Sequence, residues 1–156
     1  MRKAVASVGV GAVVALAGVT AVGASEATAK RQLELTAVQV DAAEVNTGQG
    51  FVGTRFVGTD NLLSRGRNVG RGVRSCEVVA VDEARTDNRA QFQCLITLRL
   101  RGGVLTLQAM PTLTEQGLEA VKAAVTGGTG AFRHARGDAL VEEVNPSTTR
   151  YAIDLR

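Results

Sequence analysis

Tryptophan is absent, and the 156 residues carry one tyrosine, four phenylalanines, one histidine, two cysteines and two prolines. With aromatics at 3% and a formal net charge of only +3, the chain offers no basic stripe interleaved with stacking rings. This excludes the usual design of a strand-tracking nucleic-acid protein. A lone His134, with no Cys/His spacing pattern, leaves no metal site to argue for. Nothing in the sequence asks for a cofactor. So few rings also count against tight stacking of a phenolic ligand; a pocket of Leu, Val and Ile suits aliphatic or terpenoid ligands as well.

Glycine, by contrast, is plentiful. Residues 125–138 (VTGGTGAFRHARGD) hold Gly127, Gly128, Gly130 and Gly137 in one basic segment. Glycines at this density serve a backbone that turns sharply or approaches something closely. TGGTG after an apolar run looks like a phosphate turn. That reading needs a βαβ unit around it, and the residues from Ala131 to Arg156, interrupted by Pro146, are too few to supply one. The segment is therefore read as a glycine turn between antiparallel strands.

The N-terminus has the order of a secretory signal peptide. Arg2 and Lys3 open it, residues 4–24 are small or apolar apart from Ser7 and Thr20, and Ala27–Thr28–Ala29 supplies an A-x-A cleavage site. The run is rich in Ala, Gly and Val, and no second segment could span a membrane as a helix. The expectation is a signal peptide over 1–29, a domain over 30–156, a secreted product and no stable membrane anchor. In an exported chain, Cys76 and Cys94 read as a disulfide, with two buried thiols or one reactive thiol as the alternatives.

Along the domain, short β-patterned runs alternate with turns. Residues 32–40 (QLELTAVQV) read as a strand with a bulge near Ala37, followed by a loop over 41–50. Residues 51–57 read as a second strand, ended by Gly58–Thr59–Asp60–Asn61. The stretch 64–74 (SRGRNVGRGVR) reads as a solvated loop on composition, with a grip on an anionic ligand as its other reading. Strands follow at 73–81, 91–100 and 104–110. In 91–100, Phe92, Cys94, Ile96, Leu98 and Leu100 alternate with polar residues, the period of a strand with two different faces. Residues 111–117 read as a loop and 118–126 as a strand. Residues 138–144 and 149–155 read as a final hairpin, with Tyr151, Ile153 and Leu155 on one face. About eight short strands with tight antiparallel connections predict an all-β fold, closed as a small barrel. Such a barrel is filled by side chains or opens into one small-ligand cavity.

These residues resemble the dirigent and allene oxide cyclase superfamily. The resemblance rests on the glycine motif at 125–138, on residues 53–62 (GTRFVGTDNL), and on Gly66, Gly70 and Cys76–Glu77–Val78–Val79, in that family's order. It implies an eight-stranded antiparallel barrel with an apolar cavity, an apolar small-molecule ligand, and a homotrimer. Dirigents steer the coupling of phenoxy radicals without oxidising them; the cyclases convert a fatty-acid epoxide to a cyclopentenone. On the matching positions, Arg136 stands where dirigents carry a functional arginine, while Gly130 and Ala131 stand near their acid. Cys76 matches a pocket cysteine of the cyclases, Gln39 stands for their first-strand glutamate, and Val57 for a pocket proline.

The candidate residues follow. Arg136 either binds a carboxylate or phenolate in the cavity or bonds the carbonyls of the glycine turn. Asp60 is either a pocket acid with a burial-raised pKa or a turn residue capping its own backbone. Tyr151 donates to a ligand oxygen or sits in the core with its hydroxyl at the rim. Arg136, Asp60 and Cys76 are the catalytic candidates; Arg136, Asp60, Gln39, Val57 and Tyr151 are the ligand-binding ones. The expected function is a secreted small-molecule-binding barrel that positions an apolar ligand and steers its stereochemistry. An isomerase or cyclase is the first alternative, and a non-catalytic barrel with a solid interior is the second.

Overall fold

The computed structural model describes residues 31–45, 51–82 and 89–156; the expected signal peptide lies outside them. The chain runs β1 (Arg31–Val45), β2 (Arg55–Ser64), β3 (Arg67–Asp82), β4 (Arg89–Leu100), β5 (Gly103–Ala109), β6 (Thr112–Thr114), β7 (Gly117–Leu118), β8 (Val121–Gly128), β9 (Gly137–Asn145) and β10 (Thr148–Leu155). A 3₁₀ turn, Gly130–Phe132, sits between β8 and β9. The sheet order is β3-β2-β1-β10-β9-β8-β5-β4, and pairing of β3 with β4 closes it into an eight-stranded antiparallel barrel. The short β6–β7 hairpin extends from the start of β4.

Closure follows from the alternation in sequence. Every second residue of β4 (Ala90, Phe92, Cys94, Ile96, Leu98) is buried, and so are Leu105, Leu107 and Ala109 of β5 and Tyr151, Ile153 and Leu155 of β10. A strand with one apolar and one polar face is satisfied when the apolar face turns to a common axis.

Several sequence expectations are corrected here. The stretch 64–74 is not a loop: Arg65 (φ 50°) and Gly66 (φ 75°) make the only turn, and Arg67 onward is β3. Two successive positive φ values suit a two-residue hairpin between twisted strands, so the remaining glycines lie within the strand. Gly58–Asn61 does not end β2 but forms its middle, while Phe51–Gly53 is the turn before it. β1 continues through Asp41–Val45; the rest of the expected 41–50 loop lies outside the described residues. Its bulge falls between Gln39 and Asp41, not near Ala37, which keeps Ala37 inside the barrel and leaves Val40 exposed. The expected 111–117 loop contains β6, and the expected 118–126 strand is split between β7 and β8.

One barrel end is sealed by the glycine motif. The turn after β8 folds inward, so that Phe132 is 3% exposed and the Arg31 guanidinium lies 5.1 Å from its ring centroid. Backbone amides of Thr129 and Ala131 donate to the Val104 and Gly102 carbonyls, each at 2.8 Å. Gly130 has φ 59°, and a Cβ there would collide with the Gly102 carbonyl oxygen. The glycines approach the protein's own β4–β5 turn, not a phosphate.

Cys76 and Cys94 face each other across β3 and β4 and are disulfide-bonded, so the reading that leaves either thiol free is set aside. The bond spans 18 residues of sequence. A tie over a loop of that size restricts the unfolded chain, and reduction is expected to cost about 2–3 kcal/mol. Urea melts with and without reductant check this; coincident midpoints would contradict it.

Candidate functional site

The barrel's other end is open. A cavity of about 470 Å³ enters between the C-terminal end of β1, the N-terminal ends of β2 and β4, and the β6–β7 hairpin, a size ordinary for a small-molecule pocket. Strand register stacks its walls in belts. Phe56, Cys76, Cys94 and Ala109 are in register across four strands. One step deeper come Gly58, Arg74, Ile96 and Leu107. Below them Asp60, Gly72, Leu98 and Leu105 fill the barrel.

Arg74 defines the polar inner corner. The absence of a side chain at Gly58 leaves it room: a Cβ there would lie 3.0 Å from Arg74 Nε. Arg74 Nη1 donates to Thr149 Oγ1 at 3.0 Å, and Nη2 donates to Gln39 Oε1. Nη2 also lies 3.5 Å from Asp60 Oδ1. Asp60 is 2% exposed, and no hydrogen bond reaches its Oδ1. It does not line the cavity; it stands behind Arg74 as a positioning residue. Burial raises the Asp60 pKa above 3.8, and the Arg74 charge opposes that rise.

Tyr151 completes the corner. It is 1% exposed yet lines the cavity, and no hydrogen bond to its hydroxyl is found among the described residues. Burial first, and then the negative charge of Asp60, push its pKa up to about 12, with Arg74 opposing. The folded state thus holds the phenolic proton more tightly than the unfolded chain does. Stability is expected to fall as pH rises from about 10 to about 12. Tyr151→Phe should flatten that slope in alkaline melts; an unchanged slope would contradict the assignment.

Of the residues expected at the site, Gln39, Val57, Cys76 and Tyr151 line the cavity, with Asp60 in support. Arg136 does not join them. It is exposed beyond the sealed end, where its carbonyl accepts from the Arg156 amide at 2.8 Å. His134 is exposed there too. Cys76, being disulfide-bonded, has no thiol to offer. The residues that sequence reasoning missed are Arg74 and Thr149. The signal for Arg74 was its place two residues before Cys76, on the same face of the strand, hidden by the loop-like composition of 64–74. Among the described residues no cluster of three or more His, Cys, Asp or Glu is placed to hold a metal ion.

Solved structures share this closed antiparallel barrel fold. The chain is similar to a pyocyanin demethylase (23% identity, TM-score 0.68, 81% of this chain and 100% of that one). It is similar to the pterocarpan synthase dirigent protein GePTS1 (19%, TM-score 0.60, 81% and 86%). The Diels Alderase AbmU from Streptomyces koyangensis shares it at 10% identity (TM-score 0.56, 83% and 70%). No family model matches the chain, and no curated protein does.

Proposed function

We propose that the protein is an exported barrel that binds an apolar small molecule, orients it by one polar end, and so steers the stereochemistry of its reaction. The observation that carries this is the cavity itself: an open, largely apolar volume in which Arg74, Gln39, Thr149 and Tyr151 make one polar corner. A ligand oxygen docked there is fixed in position while the rest of the molecule is held by shape. Positioning of that kind accelerates or directs a reaction without covalent catalysis. The neighbouring structures, a dirigent protein, a Diels Alderase and a demethylase, are named for chemistry on small molecules, which supports the reading. An open cavity argues against a solid structural barrel. Export rests on the leader pattern at 1–29 and on the disulfide, which persists in oxidising compartments.

An isomerase is the second reading, favoured by Tyr151. A phenol held neutral to about pH 12 can donate a proton or a hydrogen bond to an oxygen that gains charge. The cyclase route through a free Cys76 thiol is closed by the disulfide.

Calorimetric titration with 2-naphthol, a neutral ring bearing one hydroxyl, tests the binding reading. Saturable one-site binding is expected, weakened about threefold to tenfold in Tyr151→Phe by loss of one hydrogen bond and abolished in Ala109→Phe, which fills the cavity. Binding unaltered in both variants would overturn it. Chiral analysis of phenol coupling driven by a one-electron oxidant, with and without the protein, then separates steering from simple binding.

A further inference from the structure

The stretch 64–74 carried a second reading in sequence, a grip on an anionic ligand, and the fold gives that reading a place. Arg65 and Arg67 flank the β2–β3 turn, and Arg101 opens the β4–β5 turn. Both turns lie at the sealed end. Just below them, on the outer face of the barrel, Arg71 and Arg99 stand directly opposite each other across β3 and β4. All of these arginines are exposed, and none has an ion-pair partner among the described residues.

Like charges set directly opposite on neighbouring strands cost stability, and the fold does not compensate this pair. Residues 64–76 and 95–114 contain no Asp or Glu. The first acid along the outer face of β3 is Glu77, and Arg55 already holds it at 3.0 Å. The acids nearer the sealed end, Glu34, Asp138 and Asp154, lie on β1, β9 and β10, away from β3 and β4 in the sheet order, and Arg156 lies 3.4 Å from Asp138.

The basic surface also turns the corner onto the barrel end. The Ala131 amide donates to the Gly102 carbonyl at 2.8 Å, so the glycine motif abuts the turn that Arg101 opens. On that end a shallow cleft is lined by Arg31, Arg133, His134 and Arg156 around the 3₁₀ turn, with no acidic residue in its lining. No large apolar side chain is exposed on the 3₁₀ turn or on either hairpin turn.

We infer that this surface is a second binding face, separate from the ligand cavity, and that its partner is a flexible phosphate-bearing polymer. Arginine supplies the fork of donors that matches phosphate oxygens two at a time. A flexible chain follows the surface from the Arg71–Arg99 flank, past Arg101, into the cleft beside Arg133. A flat bilayer meets the flank or the end but not both, and the end lacks the apolar side chains that anchor a protein in a membrane interface. With no exposed ring beside the arginines, the face reads phosphate and not bases.

Calorimetric titration of the protein with linear inorganic polyphosphate tests this. Binding is expected at low salt, with affinity falling log-linearly as salt rises, because seated phosphates release counterions. Arg99→Gln combined with Arg101→Gln should weaken binding at least about tenfold and reduce the salt slope by about two. Arg55→Gln combined with Lys122→Gln removes the same charge from elsewhere on the barrel, and screening should hold its effect below about twofold. Ala109→Phe, which fills the ligand cavity, should bind polyphosphate unchanged, so this face and the cavity are tested apart. Arg99→Gln alone should raise the urea midpoint at low salt by relieving the opposed charges, a readout that does not depend on the double variant. Absence of binding, equal losses in the two double variants, or a midpoint that falls in Arg99→Gln overturns the inference. Tighter binding to phosphatidylglycerol vesicles than to polyphosphate at equal phosphate also overturns it, in favour of a membrane surface.

Discussion

Arg74→Met is expected to lower affinity for a hydroxyl-bearing ring ligand by up to about 100-fold, one hydrogen bond from a charged donor being worth roughly this much. It is also expected to destabilise the fold by about 3 kcal/mol. Methionine preserves much of the side-chain volume but removes the partner of Asp60. Breaking a buried pair costs more than the pair contributes, because a charge is left without compensation. Gln39 Oε1 and Thr149 Oγ1 lose their donor as well.

The deficit should depend on pH in a definite direction. Asp60 already has a folded pKa above 3.8, with burial as the main cause and Arg74 as the opposing term. Removing Arg74 removes the opposing term, so the folded pKa rises further. A carboxyl whose folded pKa exceeds its unfolded value binds protons more readily in the folded state. Its contribution to stability therefore improves as pH falls toward the unfolded value. The gap between Arg74→Met and the unaltered protein should narrow on acidification, and Asp60→Asn should largely restore the stability of Arg74→Met at neutral pH. Urea titrations of the four proteins across pH give both results. A deficit independent of pH and untouched by Asp60→Asn would show that Arg74 acts by packing alone.

The second large effect lies at the opposite end. Phe132→Ala is expected to cost about 3–5 kcal/mol, the usual range for a buried phenylalanine lost from a well-packed site. Phe132 is the plug of the sealed end, with the Arg31 guanidinium over its ring, and the 3₁₀ turn that carries it is held by backbone bonds to Gly102 and Val104. Those bonds should persist in the variant, so the barrel should keep its strands while its midpoint falls. Because Phe132 is not part of the ligand cavity, affinity for a ring ligand should change less than about twofold under conditions where the variant stays folded. Chemical denaturation and the same calorimetric titration check the pair of expectations. A loss of affinity as large as that of Arg74→Met would mean that the two ends are coupled.

Much of the barrel was legible in the order of residues. The period-two pattern of β4 and β10 separates an inner from an outer face, and that alone selects a closed sheet over a helical fold. The glycine motif was readable as a turn because too little chain follows it for a crossover. The cysteine pair was readable as a candidate bond, although only the register of β3 against β4 puts Cys76 opposite Cys94.

The site was less legible, for a physical reason. Composition describes solvent preference averaged over neighbours in sequence, and the inner corner is built from residues that are neighbours only across strands. SRGRNVGRGVR looks solvated because it is rich in Gly and Arg. In the barrel its last arginine turns inward, since Gly58 on the adjacent strand leaves a space and Asp60 one belt below supplies the charge. Arg136 looked functional for the converse reason: it lies in the motif that stands out in the sequence, yet that motif spends its glycines on sealing the barrel. The sequence by itself determined the alternation that makes the strands two-faced, and with it the closed all-β fold. Only the tertiary structure decided which arginine meets the cavity and that Phe51, Phe56, Phe92 and Tyr151 line it, because strand register, which no local pattern encodes, sets which side chains stand across from each other.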